Sequence, residues 1–268
     1  MPGWLPARLG ALPPIQAVQT RQGRLSYLLS GSGPATILLF NGAGVSLEGW
    51  RALYPEIEQC GTVFGWNRFG MQGSDPPKQK QTGTVVVASL RELLGYAGLA
   101  PPYILVAHSL GGLYANLFAR LHPGEVTAVL FVEATHPRDR AVLRTHETQL
   151  VRALGKVISL PQLLFKPNVH AELECVDDTV REIEVAGPFP DVPVRVITGG
   201  KAPPAWLMSP AAVGARRAHQ QELARLSPHG EQVIAHESGH FPQLTQPEVV
   251  LEALRALAAL TPTRAPVT

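Results

Sequence analysis

Apolar residues fall along this chain in short continuous runs separated by longer amphipathic stretches. Thr36-Ile37-Leu38-Leu39-Phe40 and Thr62-Val63-Phe64-Gly65-Trp66 are runs of the kind that a parallel sheet buries on both faces. Tyr103-Ile104-Leu105-Val106 and residues 126–132 have the same character, and residues 194–198 and 231–235 follow much later. Between them, Val86, Leu90, Leu93, Leu94 and Ala97 recur at helical spacing and stop at Gly98, a C-terminal cap. Residues 113–119 form another helical pattern. Thr245-Gln246-Pro247-Glu248 opens a last helix with a capping threonine, an early proline and a first-turn acid. Near the start, residues 15–20 and 24–29 read as two strands turning at Gln22-Gly23, an antiparallel hairpin, after a proline-rich leader over residues 1–14. Strands alternating with helices predict a mostly parallel, helix-flanked sheet in one α/β domain.

One stretch breaks the alternation. From residue 136 to 190 no strand is evident, only polar helical patterns and an apolar segment over residues 157–165 that includes Leu160, Leu163, Leu164 and Phe165. An excursion this long inside a compact domain is usually functional. The expected organisation is therefore a core over residues 1–135 and 191–268, with residues 136–190 as a helical cap or lid.

The segment Ala107-His108-Ser109-Leu110-Gly111-Gly112 joins the end of an apolar strand to the start of a helix. A serine on such a sharp turn needs small residues two positions away on each side, and Ala107 and Gly111 supply them. The turn exposes the hydroxyl and sets backbone N–H groups at a helix N-terminus, where developing negative charge is stabilised. Ser109 is the candidate nucleophile. The competing reading is a helix-capping serine.

Acyl transfer by serine also needs a base, a group that orients the base, and donors for the oxyanion. Of nine histidines, His240 lies in Glu237-Ser238-Gly239-His240-Phe241-Pro242, between the last strand and the last helix, at the sheet edge expected to carry the serine. His236 sits nearer the strand end, and His108 is expected to point away from the serine. The turn Phe40-Asn41-Gly42-Ala43-Gly44 follows a buried strand, and its glycines let the Ala43 N–H face the site, with the Leu110 N–H as its partner. A phosphate-binding turn is the other use of such a glycine pair, but no G-x-G-x-x-G or Lys-Ser/Thr ending accompanies it.

Composition narrows the partners. Charged residues make up 16% of the 268 positions and the net charge is +2, with basic residues scattered, which argues against nucleic acid. Cys60 and Cys175 are too few for a disulfide framework, and no Cys/His spacing resembles a zinc site. Neither a secretory leader nor an apolar run of about 20 residues is present, so a cytoplasmic protein without a membrane span is expected.

Asn41-Gly42-Ala43-Gly44, Arg68-Phe69-Gly70-Met71-Gln72-Gly73-Ser74-Asp75, His108-Ser109-Leu110-Gly111-Gly112 and Ser238-Gly239-His240-Phe241 stand in the order found in one superfamily. In these segments the chain resembles the α/β hydrolases, in the broad group of esterase-like and haloperoxidase-like serine hydrolases. The resemblance implies an α/β-hydrolase fold with an eight-stranded sheet and a cap. It also implies a Ser-acid-His triad working without metal or organic cofactor. Related dehalogenases and epoxide hydrolases use an Asp where Ser109 stands.

Two positions depart from the pattern. Asn41 replaces the family's usual histidine. The loop where the acid commonly sits, Gly199-Gly200-Lys201-Ala202-Pro203-Pro204-Ala205-Trp206, has no carboxylate, and Asp191 precedes the strand. Some relatives place the acid after the strand that follows the nucleophile helix, and Glu133 stands there. The expected triad is Ser109, His240 and Glu133, with a small-molecule acyl substrate. The expected activity is hydrolysis of an ester, thioester or related acyl bond. Acyl transfer or carbon–carbon bond hydrolysis on the same residues is the chemical alternative, and a non-catalytic ligand-binding protein of the same fold is the other.

Overall fold

The computed structural model describes residues 10–146 and 172–260. Eight strands form one sheet in the order β1-β2-β4-β3-β5-β6-β7-β8. The strands are β1 Gln16–Gln19, β2 Arg24–Ser30, β3 Thr36–Phe40, β4 Thr62–Asn67, β5 Tyr103–His108, β6 Val126–Val132, β7 Val194–Gly199 and β8 Gly230–Ala235. β1 and β2 pair as the antiparallel hairpin, β2 runs antiparallel to β4, and every other pairing is parallel. Among the described residues the helices are α1 Tyr54–Ile57, α2 Gly83–Tyr96, α3 Gly111–Leu121, α4 Asp139–His146, α5 Val176–Val185, α6 Pro210–Ala224, α7 Pro242–Thr245 and α8 Pro247–Ala259.

The apolar runs are buried on both faces because side chains alternate along a strand. From β3, β5 and β6, Leu38, Phe40, Leu105, Ala107, Val129 and Phe131 point into the layer that holds α2 and α3. Ile37, Leu39, Ile104, Val106, Leu130 and Val132 point into the opposite layer, with Trp50, Tyr54 and the α8 residues Leu254 and Leu257. Two helix ends behave differently. Gly98 takes a left-handed conformation (φ 66°) and closes α2, with the Leu99 N–H donating to the Leu94 carbonyl. Thr245, in contrast, does not cap α8, whose preceding residue is Gln246. The Thr245 hydroxyl bonds Ser238 Oγ at 2.6 Å and the Phe241 carbonyl at 3.0 Å, so its role is to brace the loop before the helix.

Between β6 and β7 the described residues form α4 and α5. Val176 and Ile183 of α5 join the core layer of α2 and α3, and the Glu182 carboxylate accepts the Thr84 N–H near the start of α2 at 2.9 Å. α4 is tied to α6 by His219 Nδ1 and Asp139 Oδ1 at 2.7 Å. Leu160, Leu163, Leu164 and Phe165 lie outside the described residues. No helix among the described residues is long and apolar enough to cross a membrane.

Two close contacts set the C-terminal edge of the sheet. A Cβ at Gly111 would run into the carbonyl oxygen of Phe40, so α3 seats against the end of β3 only because that position lacks a side chain. His108, the last residue of β5, is buried, and its Nε2 lies 2.9 Å from the His240 carbonyl oxygen. That geometry makes Nε2–H the donor. Burial, with the nearby His240 ring adding to it, pushes the His108 pKa down to about 4.

Gly111→Ala is therefore expected to destabilise the fold by about 1–3 kcal/mol, although alanine is the better helix former. Urea unfolding measures this, and an unchanged midpoint would contradict the close approach. The depressed His108 pKa means that the unfolded chain binds more protons than the folded one between about pH 6.5 and 4. Stability is full above that window and falls as pH drops through it. The contribution is on the order of 3 kcal/mol, at about 1.4 kcal/mol per unit. Buried His136, pushed down to about 3 chiefly by burial, adds to the same trend. His108→Gln keeps an N–H donor without the titration, so its unfolding free energy should vary less with pH across the window than that of the parent.

Candidate active site

Five loops at the C-terminal ends of the parallel strands meet at one place, where ligands of open α/β sheets bind. Ser109 follows β5 directly and has φ 51°. Glu133 follows β6 directly and has φ 45°. These are the only non-glycine residues with positive φ among the described residues, and such backbone persists where its surroundings over-determine it. For Ser109 the surroundings are specific. Its N–H donates to the Val132 carbonyl at 3.3 Å, and its carbonyl accepts the N–H groups of Gly112 and Thr135, both at 2.9 Å.

His240 sits between β8 and α7. Its Nε2 lies 3.0 Å from Ser109 Oγ and its Nδ1 lies 3.2 Å from Glu133 Oε2. The structure thus brings together three side chains separated by up to 131 positions in sequence. The ring has two anchors besides these, the His108 bond to its carbonyl and the edge-on Phe241 ring at 5.1 Å. His236 is exposed and contributes to none of these contacts.

Glu133 is buried, which by itself raises a carboxyl pKa. The His240 hydrogen bond, the Arg216 charge and the Gly199 N–H outweigh burial and hold it below the ordinary carboxylate range. Gly199 N–H donates to Oε1 at 2.7 Å, and Arg216 reaches Oε2 at 3.4 Å. The last residue of β7 brings this backbone N–H to the carboxylate, and the loop that follows has no acid of its own. Asp191 lies before β7 and pairs with His229 at the surface, while Asp177 and Asp178 pair with Arg140 and Arg181.

The turn at Asn41–Gly44 is held by a network that the sequence alone did not reveal. Arg68 is buried and ion-paired through Nε with Glu172, which is also buried. Its two terminal nitrogens donate to the carbonyls of Asn41 at 2.9 Å and Gly42 at 2.7 Å. The second oxygen of Glu172 accepts the Gly44 N–H at 3.0 Å. Asn41 is fixed from its other side, accepting from Trp50 Nε1 at 2.6 Å and donating to the Trp66 carbonyl at 3.2 Å. The N–H groups of Ala43 and Leu110 have no acceptor among the described residues. A side chain at Gly42 would press on the His108 ring and Ser109 Cβ, so its absence lets that turn lie close to the end of β5.

Among the described residues, one group has the composition of a metal site: His136, His219 and Glu222. Several of its atoms are already engaged. His136 Nδ1 accepts the Arg138 N–H at 3.1 Å, so ligation through Nε2 would require both ring nitrogens to be unprotonated. Glu222 pairs with Arg138, and His219 Nδ1 with Asp139.

A cavity of about 600 Å3 opens beside Glu133 and His240, lined by them, Phe241 and Arg216 together with apolar residues of the 199–213 segment, including Leu207 and Met208.

Comparison with known proteins fits this architecture. A hydrolytic enzyme from Pseudomonas aeruginosa PAO1, described as probable, superposes with a TM-score of 0.65 at 19% identity, covering 92% of this chain and 95% of that one. The enol-lactonase from Burkholderia xenovorans LB400 gives a TM-score of 0.65 at 18% identity, covering 91% and 100%. At these identities the likeness is one of fold. By sequence, an uncharacterized protein of Schizosaccharomyces pombe is 42% identical over 80 residues, 30% of this chain. The matched stretches span between 15% and 51% of the length of the first three curated relatives. Residues 37–253 match the Alpha/beta hydrolase family, and the chain belongs to that family.

Proposed function

We propose that this α/β hydrolase is a serine hydrolase that cleaves an ester, thioester or related acyl bond of a small molecule through an acyl-enzyme. The observation that carries the reading is the unbroken chain from Ser109 Oγ to His240 Nε2 at 3.0 Å and from His240 Nδ1 to Glu133 Oε2 at 3.2 Å. In this reading His240 Nε2 takes the Ser109 proton as Oγ attacks the acyl carbon, then returns it to the leaving group. A water molecule activated by the same nitrogen releases the acyl group.

Glu133 accepts the Nδ1–H, which selects the tautomer with a free Nε2 and stabilises the imidazolium as it forms. Its depressed pKa keeps it ionised at neutral pH, as that role demands. The oxyanion falls to the N–H groups of Ala43 and Leu110, one at a turn fixed by Arg68 and Glu172 and the other at the start of α3. The insertion over residues 136–190 is assigned to substrate choice on sequence grounds, since it interrupts the strand–helix alternation directly after Glu133.

Ser109→Ala is expected to lower kcat by about a million-fold with the fold intact, because alanine removes only the hydroxyl. His240→Ala should lose a comparable amount and His236→Ala little. Labelling by a fluorophosphonate should occur in the parent chain and vanish in Ser109→Ala. A parent chain that neither labels nor turns over any of a panel of acyl esters would overturn the reading. Glu133→Gln keeps the shape but offers the ring an amide donor, and should cost about a hundred-fold or more in kcat. Asp177→Asn, Asp178→Asn and Asp191→Asn should be mild by comparison.

A further inference from the structure

The cavity beside Glu133 and His240 has an uneven charge. Glu133 is the one carboxylate among its described lining residues, while Lys201, Arg216 and Arg217 are all cationic. Lys201 is balanced by Glu237 at 2.9 Å, an exposed pair that solvent screens. Arg217 donates to the Gly200 carbonyl at 3.0 Å and is exposed. Arg216 differs from both. Its side chain is only 22% exposed, and its partner is Glu133 at 3.4 Å, a long contact through one nitrogen.

A guanidinium has five N–H donors in a planar fork, so most of those on Arg216 have no acceptor among the described residues. Leaving donors of a largely buried cation without acceptors is unfavourable. Here the arginine lies in the wall of a cavity whose other boundary includes His240. The remaining lining is mostly apolar, with Leu207, Met208, Val213 and Phe241 able to accommodate methylene groups.

Resting on the serine-hydrolase reading, we propose that the preferred substrate carries a free carboxylate, and that Arg216 binds it within this cavity while a short alkyl stem lies along the apolar wall. The planar fork matches a carboxylate through two parallel hydrogen bonds. A monoanion is favoured over a phosphate dianion because Glu133 already places one negative charge on the same guanidinium. Arg217 and Lys201 add attraction at longer range, which salt should weaken.

The test compares matched esters on the full chain: the p-nitrophenyl half-esters of glutarate and adipate against neutral p-nitrophenyl pentanoate. The parent should favour the half-esters by about tenfold or more in kcat/KM, about the discrimination expected of one charged hydrogen-bonded contact. Arg216→Met should abolish that preference, whatever it does to the common rate through Glu133. Arg217→Met and Lys201→Met should reduce the preference partially, most visibly at low salt. A separate readout avoids turnover: calorimetric binding of glutarate to the Ser109→Ala protein should be lost on adding Arg216→Lys, which keeps the charge but not the fork.

A parent that hydrolyses pentanoate at least as well as the half-esters would overturn the proposal while leaving the hydrolase reading in place. So would Arg216→Met slowing all three esters equally, since Arg216 would then serve Glu133 alone. If Arg216→Met fails to fold, glutarate binding that persists in Ser109→Ala/Arg216→Lys overturns the proposal in its place. No labelling and no ester turnover in the parent would instead defeat the hydrolase reading and the proposal with it.

Discussion

The carbonyl of Phe40 passes so close to Gly111 that the position admits no side chain, and the whole site edge depends on that approach. It lets α3 begin against the end of β3, with the Ser109 turn compressed between them. The left-handed backbone at Ser109 is the cost of that compression, and the bonds from Ser109 to Val132, Gly112 and Thr135 hold it in place. Glu133 shares the unusual backbone one strand over, and its N–H donates to the Ile197 carbonyl at 2.8 Å. β5 and β6 are thus neighbours in the sheet, each followed by a residue whose conformation its neighbours impose.

Around that edge the polar groups are organised as buried carboxylates with dedicated donors. Glu133 has an imidazole, a guanidinium and a backbone N–H. Glu172 has the Arg68 guanidinium and the Gly44 N–H, and Arg68 in turn donates from each terminal nitrogen to a carbonyl of the same turn. A buried ion pair gives little net stability against apolar residues of equal volume, but breaking one half leaves a costly unpaired charge. What such a pair supplies here is geometry. The peptide groups flanking Ala43 are tied down, and the Ala43 N–H is left without an acceptor among the described residues.

The same distinction separates Arg68 from Arg216. Both are arginines beside a buried glutamate, yet Arg68 engages all three of its nitrogens and is enclosed, whereas Arg216 makes one long contact and borders a cavity. Enclosure with every nitrogen engaged marks a structural role, and unmet donors facing open volume mark a place for a ligand. His108 belongs with Arg68 in this respect. It is adjacent to the serine in sequence, but its ring is held neutral by burial and is used to fix the His240 backbone.

What the sequence determined by itself was local. Strand runs, the hairpin, the Gly98 stop and the strand-turn-helix around Ser109 all depend on residues a few positions apart, and periodicity and steric size report them directly. Thr245 shows the limit even there, since a threonine before Pro247 has the composition of a cap but its hydroxyl is drawn to Ser238 and Phe241 by loop packing. Ser109 and His240 stood out through their places in the strand–helix order. Glu133 could be named only through family resemblance and a β7 loop without an acid. Its distance from the His240 ring depends on how β6, β7 and the β8–α7 loop stack, which no local pattern encodes. Arg68 and His108 stood inside segments that carry the family resemblance, but nothing local gave their roles, and Glu172 and Arg216 carried no signal that set them apart from other charged positions. Their roles come from burial and from partners as many as 132 residues away, and only the packed tertiary structure supplies those.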